Sequence, residues 1–204
     1  MIHIELMPEP SNFDTDVRQP GNTFLSGCPN PSRKDWDKNR YWSKCSNSLY
    51  SLYNGICAYT GQWFSNSMSA VSVDHFYPKS IYQEKAYEWD NYRLTTQIMN
   101  NNKGDNIILD PCEIADGDII LDFPSCLVKP RSNMSAGEKN KTLFTIKTLK
   151  LNDEKQANRR CEIVMEYINR DISKRYLQNK YPFIAKELER QGLSDTVATL
   201  FKKP

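Results

Sequence analysis

Residues 73–79 read Val-Asp-His-Phe-Tyr-Pro-Lys, and this stretch decides how the middle of the chain folds. Apolar Val71 and Val73 alternate with polar Ser72 and Asp74, which is the period of a half-buried strand. The pattern therefore predicts a short strand that ends on an adjacent aspartate and histidine.

The neighbouring segments extend this strand into a small predicted unit. Residues 57–61, Cys-Ala-Tyr-Thr-Gly, are typical of a short strand entering a turn, and we expect a hairpin that runs from there to residue 76. A short polar helix is expected from near Thr95 through Asn100 to Lys103, closed by Gly104.

Three side chains of this unit carry the groups that phosphodiester hydrolysis needs. The imidazole of His75, if neutral near pH 7, can take a proton from an attacking water molecule. The oxygens of Asp74 and Asn100 are ligands that suit Mg²⁺ or Mn²⁺. Two protein ligands leave metal positions open for water and phosphate oxygens.

The ordered set resembles the HNH (ββα-metal) endonuclease family over roughly residues 55–110. Asp74-His75 matches the Asp-His element of that family, and Asn91-Tyr-Arg-Leu94 matches its Asn-x-x-Leu element. Asn100, nine residues after Asn91, stands at the third position, where the family has His or Asn. An Asn-Lys-Gly run at 102–104 matches the usual finish of the motif.

The resemblance implies a fold and a set of roles. It implies an α+β chain with a ββα-metal core, His75 as general base, and Asp74 and Asn100 as ligands of Mg²⁺ or Mn²⁺. Asn91 would hold the loop and orient the base through hydrogen bonds, which suits an amide side chain.

The cysteines depart from the family pattern. Many members hold the unit together with a zinc ion bound by two Cys-x-x-Cys pairs, whereas this chain keeps only Cys57 of the first pair. The second pair would fall at Thr96 and Met99. The six cysteines are scattered, so we expect reduced thiols and no structural zinc.

Three cations flank the predicted site and are candidates for binding substrate phosphate. These are Lys79, Arg93 and Lys103. The two lysines could equally be ordinary surface residues, and Arg93 could instead form an ion pair with Asp90 or Glu88.

A narrower resemblance concerns the runs Cys57-Ala-Tyr59, Val73 to Ser80 and Tyr87 to Leu94, which look like the PtuB-type HNH subunits of bacterial anti-phage systems (Septu and some retrons). This resemblance implies a nuclease effector acting with a PtuA-type ATPase partner. DNA is the first expected substrate. The alternatives are an RNA- or tRNA-cleaving HNH effector and a non-catalytic ββα module that binds nucleic acid or a partner.

The rest of the chain suggests two regions, an HNH nuclease domain at 1–134 and a helical C-terminal region at 135–204. Five prolines within residues 1–34 predict an extended N-terminal arm. An apolar stripe predicts a helix from about Asp35 to Asn54, and a second stripe from Ala157 to Ile172 predicts another.

Charge is unevenly distributed along the chain. Residues 1–134 hold 12 Lys/Arg against 16 Asp/Glu, a net of −4, whereas residues 135–204 hold 15 against 9, a net of +6. A basic C-terminal third suits attraction to a phosphate backbone, although a solvated helical surface would look the same.

No apolar run approaches the ~18 residues of a membrane helix, and no secretion signal is visible, so a cytoplasmic location is expected.

Overall fold

The computed structural model describes residues 1–67 and 71–201, and its backbone forms two compact units. The N-terminal unit consists of residues 5–57 and 64–107, and the C-terminal unit consists of 1–4, 58–63 and 108–204. Helices and antiparallel strands are both present, so the α+β class is confirmed. The boundary predicted between 134 and 135 falls inside the C-terminal unit.

The N-terminal unit begins with a helical segment where an extended arm was predicted. A π-helical turn at Asp14–Arg18 leads directly into α1 (Gln19–Gly27), so the prediction of an extended arm is wrong over these residues. Pro20 is compatible with α1 because it stands in the first turn, where its missing N–H is not needed.

The helix predicted over 35–54 is broken into α2 (Arg33–Lys38), a 3₁₀ turn (Tyr41–Cys45) and α3 (Ser46–Leu52). Ser32 caps α2 in a capping box with Asp35, which confirms the predicted start. The break follows Asn39, whose Nδ2 donates to the backbone oxygen of Asp35 at 2.9 Å. Such local side-chain bonding competes with a continuing helix.

Strand β1 (Val71–His75) pairs antiparallel with β2 (Tyr92–Thr96), with His75 opposite Tyr92 and Asp74 opposite Arg93. The hairpin predicted from 57 to 76 is therefore wrong, although its residues 68–70 lie outside the described part of the chain. Both faces of β1 are largely buried, whereas alternation predicted one buried face. Helices α3 and α4 and the 3₁₀ turn at Tyr41–Cys45 all pack against β1, which accounts for this burial.

Helix α4 (Gln97–Lys103) follows β2 without a loop and packs on both strands. The Thr96 side chain caps its first turn, and Gly104 ends it with a φ of 54°, in the left-handed region that favours glycine. This confirms the helix predicted near Thr95 to Lys103. The result is a strand–strand–helix unit with Asp74 and His75 at the end of one strand and Asn100 within the helix.

The C-terminal unit combines one hairpin with four helices. Strand β3 (Ile119–Asp122) pairs antiparallel with β4 (Leu127–Pro130). The elements that follow are α5 (Ala136–Thr148), α6 (Glu154–Ile168), α7 (Lys174–Lys180), α8 (Pro182–Arg190) and a 3₁₀ turn (Val197–Phe201). Helix α6 confirms most of the second predicted stripe but ends before Ile172. Within 1–67 and 71–201, no helix is long and apolar enough to span a bilayer.

Gly21 in α1 is required by a close approach to the fully buried ring of Tyr87. A Cβ at this position would stand 2.2 Å from Tyr87 Cγ, so Gly21→Ala forces the ring to move. We expect Gly21→Ala to lower the free energy of unfolding by about 1–3 kcal/mol in urea titration. Gly27→Ala in the same helix is the matched control, because nothing lies within 4 Å of its Cβ. Equal stability of both variants would contradict this packing.

Candidate functional site

A cavity of about 980 Å³ runs along β1 in the N-terminal unit. Its lining includes Asp74 and His75 from β1 and Asn100 from α4. The predicted base and both predicted metal ligands therefore share one cavity wall. Lys79 also lines the cavity, whereas Asn91, Arg93 and Lys103 do not belong to its lining.

The ring of His75 is held in one orientation inside the unit. Its Nε2 lies 2.9 Å from the backbone oxygen of Ala86, and its residue surface is only 6% exposed. The edges and faces of Trp42 and Tyr92 pack against the imidazole at ring-centre distances of 4.8 and 5.3 Å. A carbonyl only accepts hydrogen bonds, so Nε2 carries the proton and Nδ1 keeps the lone pair that a base requires.

The charge state of His75 follows from its surroundings. Burial lowers its pKa to about 3, and the positive charge of Lys79 acts in the same direction. The hydrogen bond to Ala86 only partly opposes this shift. The imidazole is therefore neutral at pH 7, the protonation state in which it can accept a proton.

Asn91 ties the two ends of the loop between β1 and β2 together. Its Oδ1 accepts from the Tyr77 N–H at 2.7 Å, and its Nδ2 donates to the oxygens of Tyr77 at 3.0 Å and Lys85 at 2.9 Å. Ala86, which follows Lys85 in the chain, provides the backbone oxygen that His75 contacts. Asn91 therefore holds the loop segment that carries the Ala86 carbonyl, which is compatible with its predicted role.

Lys103 lies elsewhere than its predicted role in substrate binding requires. It is fully buried, and its Nζ donates to the His75 oxygen at 2.8 Å and lies 3.3 Å from Asp74 Oδ1. Lys103 stands three residues after Asn100 on α4, so both side chains face β1. The ammonium is therefore the buried counter-ion of Asp74, and a substrate phosphate cannot reach it in this structure.

Arg93 is also turned inward, which corrects its assignment to substrate. It is 4% exposed, and its Nη1 donates to the backbone oxygens of Asp90 at 2.6 Å and Tyr92 at 3.0 Å. Its guanidinium also stacks on the ring of Phe76. Position 93 lies opposite Asp74 in the β1–β2 register, and the long side chain is packed within the unit.

Asn100 points its amide group toward β1. Its Nδ2 donates to Ser72 Oγ at 2.7 Å and to the Val73 oxygen at 3.4 Å, so Oδ1 is the atom left to meet a cation. Among the described residues, no group of three or more His, Cys, Asp or Glu side chains could hold a metal. The carboxylate of Asp74 and this amide oxygen fit a hard divalent ion that keeps several water ligands.

Other residues of the cavity were not predicted from the sequence. Arg33, Arg40 and Trp42 line it together with Asp37. A basic run before Trp42 is the one signal that could have pointed to the two arginines. The predicted continuous helix over 35–54 gave no reason to place Arg40 at the cavity, because the helix break after Asn39 could not be seen in the sequence.

The Asp74–Lys103 pair gives a stability prediction. Lys103→Met removes the buried cation beside Asp74, and Asp74→Asn removes the buried anion beside Lys103. Each change should lower the free energy of unfolding by about 3–5 kcal/mol, measured by urea titration. The double variant should lose clearly less than the sum of the two, because it removes both charges. Strict additivity would argue against a direct interaction.

The depressed pKa of His75 gives a second prediction. The unfolded state binds a proton near pH 6.5 and the folded state near 3, so His75 stabilises the fold above pH 6.5. That contribution falls by about 1.4 kcal/mol per pH unit as the pH drops from 6.5 toward 3. His75→Gln should flatten the pH dependence of unfolding in chelator-containing buffer, because Gln can still donate to Ala86 but does not titrate.

The same change at the other histidine, His3→Gln, controls for the general loss of an imidazole. An unaltered slope in the His75→Gln protein would contradict the burial of a neutral imidazole.

Comparison with known proteins adds no relatives. A scan against protein-family models matches none of them, and a search of the curated proteins finds no similar sequence.

Proposed function

We propose that the protein is a metal-dependent endonuclease of the HNH (ββα-metal) class, with DNA as its expected substrate. One observation carries the proposal. Asp74, His75 and Asn100 meet on the wall of a single cavity, from a strand and from the helix that follows its partner strand. The order of these residues in the chain supports the same assignment.

His75 would act as the general base of the hydrolysis. As a water oxygen bonds to phosphorus, Nδ1 takes the water proton, the bond from phosphorus to the 3′-oxygen breaks, and that oxygen acquires a proton from solvent. The products are a 5′-phosphate and a 3′-hydroxyl. Nε2 stays bonded to Ala86, so the ring keeps its orientation throughout.

Asp74 and Asn100 would hold Mg²⁺ or Mn²⁺, which when bound supplies charge relief to the phosphate. Lys103 fixes the Asp74 carboxylate from the buried side, and Ser72 fixes the Asn100 amide. Both oxygen donors are therefore restrained before a cation arrives. Such restraint lowers the entropy cost of forming the site.

The likeness to PtuB-type subunits supports a biological extension of the proposal. We infer a nuclease effector of an anti-phage system that works with a PtuA-type ATPase. Co-expression with such an ATPase, followed by affinity purification, tests this partner. Failure to co-purify would remove the defence assignment and leave the nuclease assignment standing.

The nuclease proposal predicts metal-dependent cleavage of plasmid DNA that His75→Ala abolishes. With Mn²⁺ or Mg²⁺, the rate of nicking should fall by at least about 10²-fold, because the variant lacks its general base. His3→Ala is the matched control and should cut at the wild-type rate. Circular dichroism checks that both variants fold.

Two results separate the alternatives. Cleavage of tRNA but not of plasmid would favour an RNA-cleaving effector. Calorimetry that detects no Mn²⁺ binding, together with no cleavage of either substrate, would favour a non-catalytic binding module.

A further inference from the structure

Three cations line the cavity that contains His75. Arg33 is the first residue of α2, Arg40 follows the end of that helix, and Lys79 belongs to the loop after β1. Although they lie far apart in the sequence or at opposite ends of α2, all three line the same cavity. Both arginines are exposed, so their guanidinium groups can meet a ligand without a rearrangement of the fold.

These cations lack the carboxylate partners that neutralise other cations of the chain. Within the described residues, no ion pair of 4.0 Å or less joins Arg33, Arg40 or Lys79 to an acid. By contrast, Lys103 is paired with Asp74. Two further carboxylates, Asp37 and Asp105, line the same cavity and stand near Lys79 without forming such a pair.

Lys79 is the most informative of the three. Its ammonium lies 5.1 Å from the centre of the Trp42 ring, and burial lowers its pKa. Asp105, Asp74 and Asp37 act to raise this pKa, but none of them forms an ion pair of 4.0 Å or less with Lys79, so the half-buried ammonium loses hydration without full compensation. The adjacent indole offsets part of that cost, and an anion in the cavity would offset more.

We infer that Arg33, Arg40 and Lys79 bind the phosphate backbone of a nucleic-acid strand and hold it against His75. This inference rests on the proposed function and assigns the substrate contacts that Arg93 and Lys103 cannot make. Arginines match phosphate oxygens with two parallel N–H donors, and lysine contributes a point charge. Cations spread along an open cavity of about 980 Å³ suit a polymer with repeated phosphates.

The test measures binding separately from cleavage. A fluorescein-labelled DNA duplex is titrated with His75→Ala protein in EDTA across a series of KCl concentrations, and anisotropy gives the affinity. Arg33→Gln, Arg40→Gln and Lys79→Gln are added to that background one at a time. Each should weaken binding roughly fivefold to tenfold and lower the slope of log K against log salt by about 0.9.

Matched controls exist for each kind of position. Lys34 and Lys38 are exposed cations of the same helix α2 that do not line the cavity, and Lys85 is a loop lysine stacked on Tyr77. Their Gln variants should bind with the affinity and salt slope of the His75→Ala parent. Urea unfolding of every variant shows whether a loss of binding reflects a loss of fold.

The outcomes distinguish this inference from the proposed function. If wild-type protein cuts DNA but the three cavity variants bind like the parent, the phosphate site is wrong and the nuclease stands. If the cavity variants alone lose binding while wild-type protein never cuts, the phosphate site stands and the catalytic proposal fails. Equal losses in cavity and control variants, or a parent that does not bind the duplex at low salt, would overturn the phosphate site.

Discussion

A single buried ion pair is the constraint on which the site depends. The Lys103 ammonium links α4 to the end of β1 by contacting the carboxylate of Asp74 and the backbone oxygen of His75. Buried charges are tolerated only when they are paired and hydrogen-bonded, so this contact fixes the distance between helix and strand. Asn100 lies one turn earlier on the same helix and is brought to β1 by the same constraint.

Around this pair, the chain uses backbone carbonyls to set the chemistry of His75. The Ala86 oxygen accepts from both His75 Nε2 and the Tyr92 hydroxyl, so two rings are oriented by one acceptor. Apolar packing by Trp42 and Tyr92 removes water from the imidazole and keeps it neutral. Burial keeps the imidazole neutral, and the Ala86 carbonyl places its proton on Nε2, which leaves the lone pair on Nδ1.

Sequence reasoning predicted which side chains the strand–strand–helix unit brings together better than it predicted the fold around them. Asp74, His75, Asn91 and Asn100 could be identified because their spacing along the chain reflects a local strand–loop–strand–helix unit. The partner of β1 was missed, since period-two alternation says which face is buried but not which strand pairs. Lys103 and Arg93 were predicted to bind substrate phosphate because a charged side chain is normally exposed and can reach a ligand. Only the three-dimensional position of the neighbouring carboxylate and carbonyls shows why they are buried.

The clamp formed by Asn91 has a consequence for how the chain can diverge. The Asn91 side chain bonds the backbones of both Tyr77 and Lys85, so it closes the loop between them. The positions of the loop ends are set by these hydrogen bonds and not by the residues within the loop. Ser80, Ile81 and Glu84 are exposed in that loop, with Ile81 61% exposed. Loop-closure entropy rises slowly with length, so insertions among these exposed residues cost little free energy of folding. The exposed residues of this segment can therefore change while the two backbone anchors held by Asn91 stay in place.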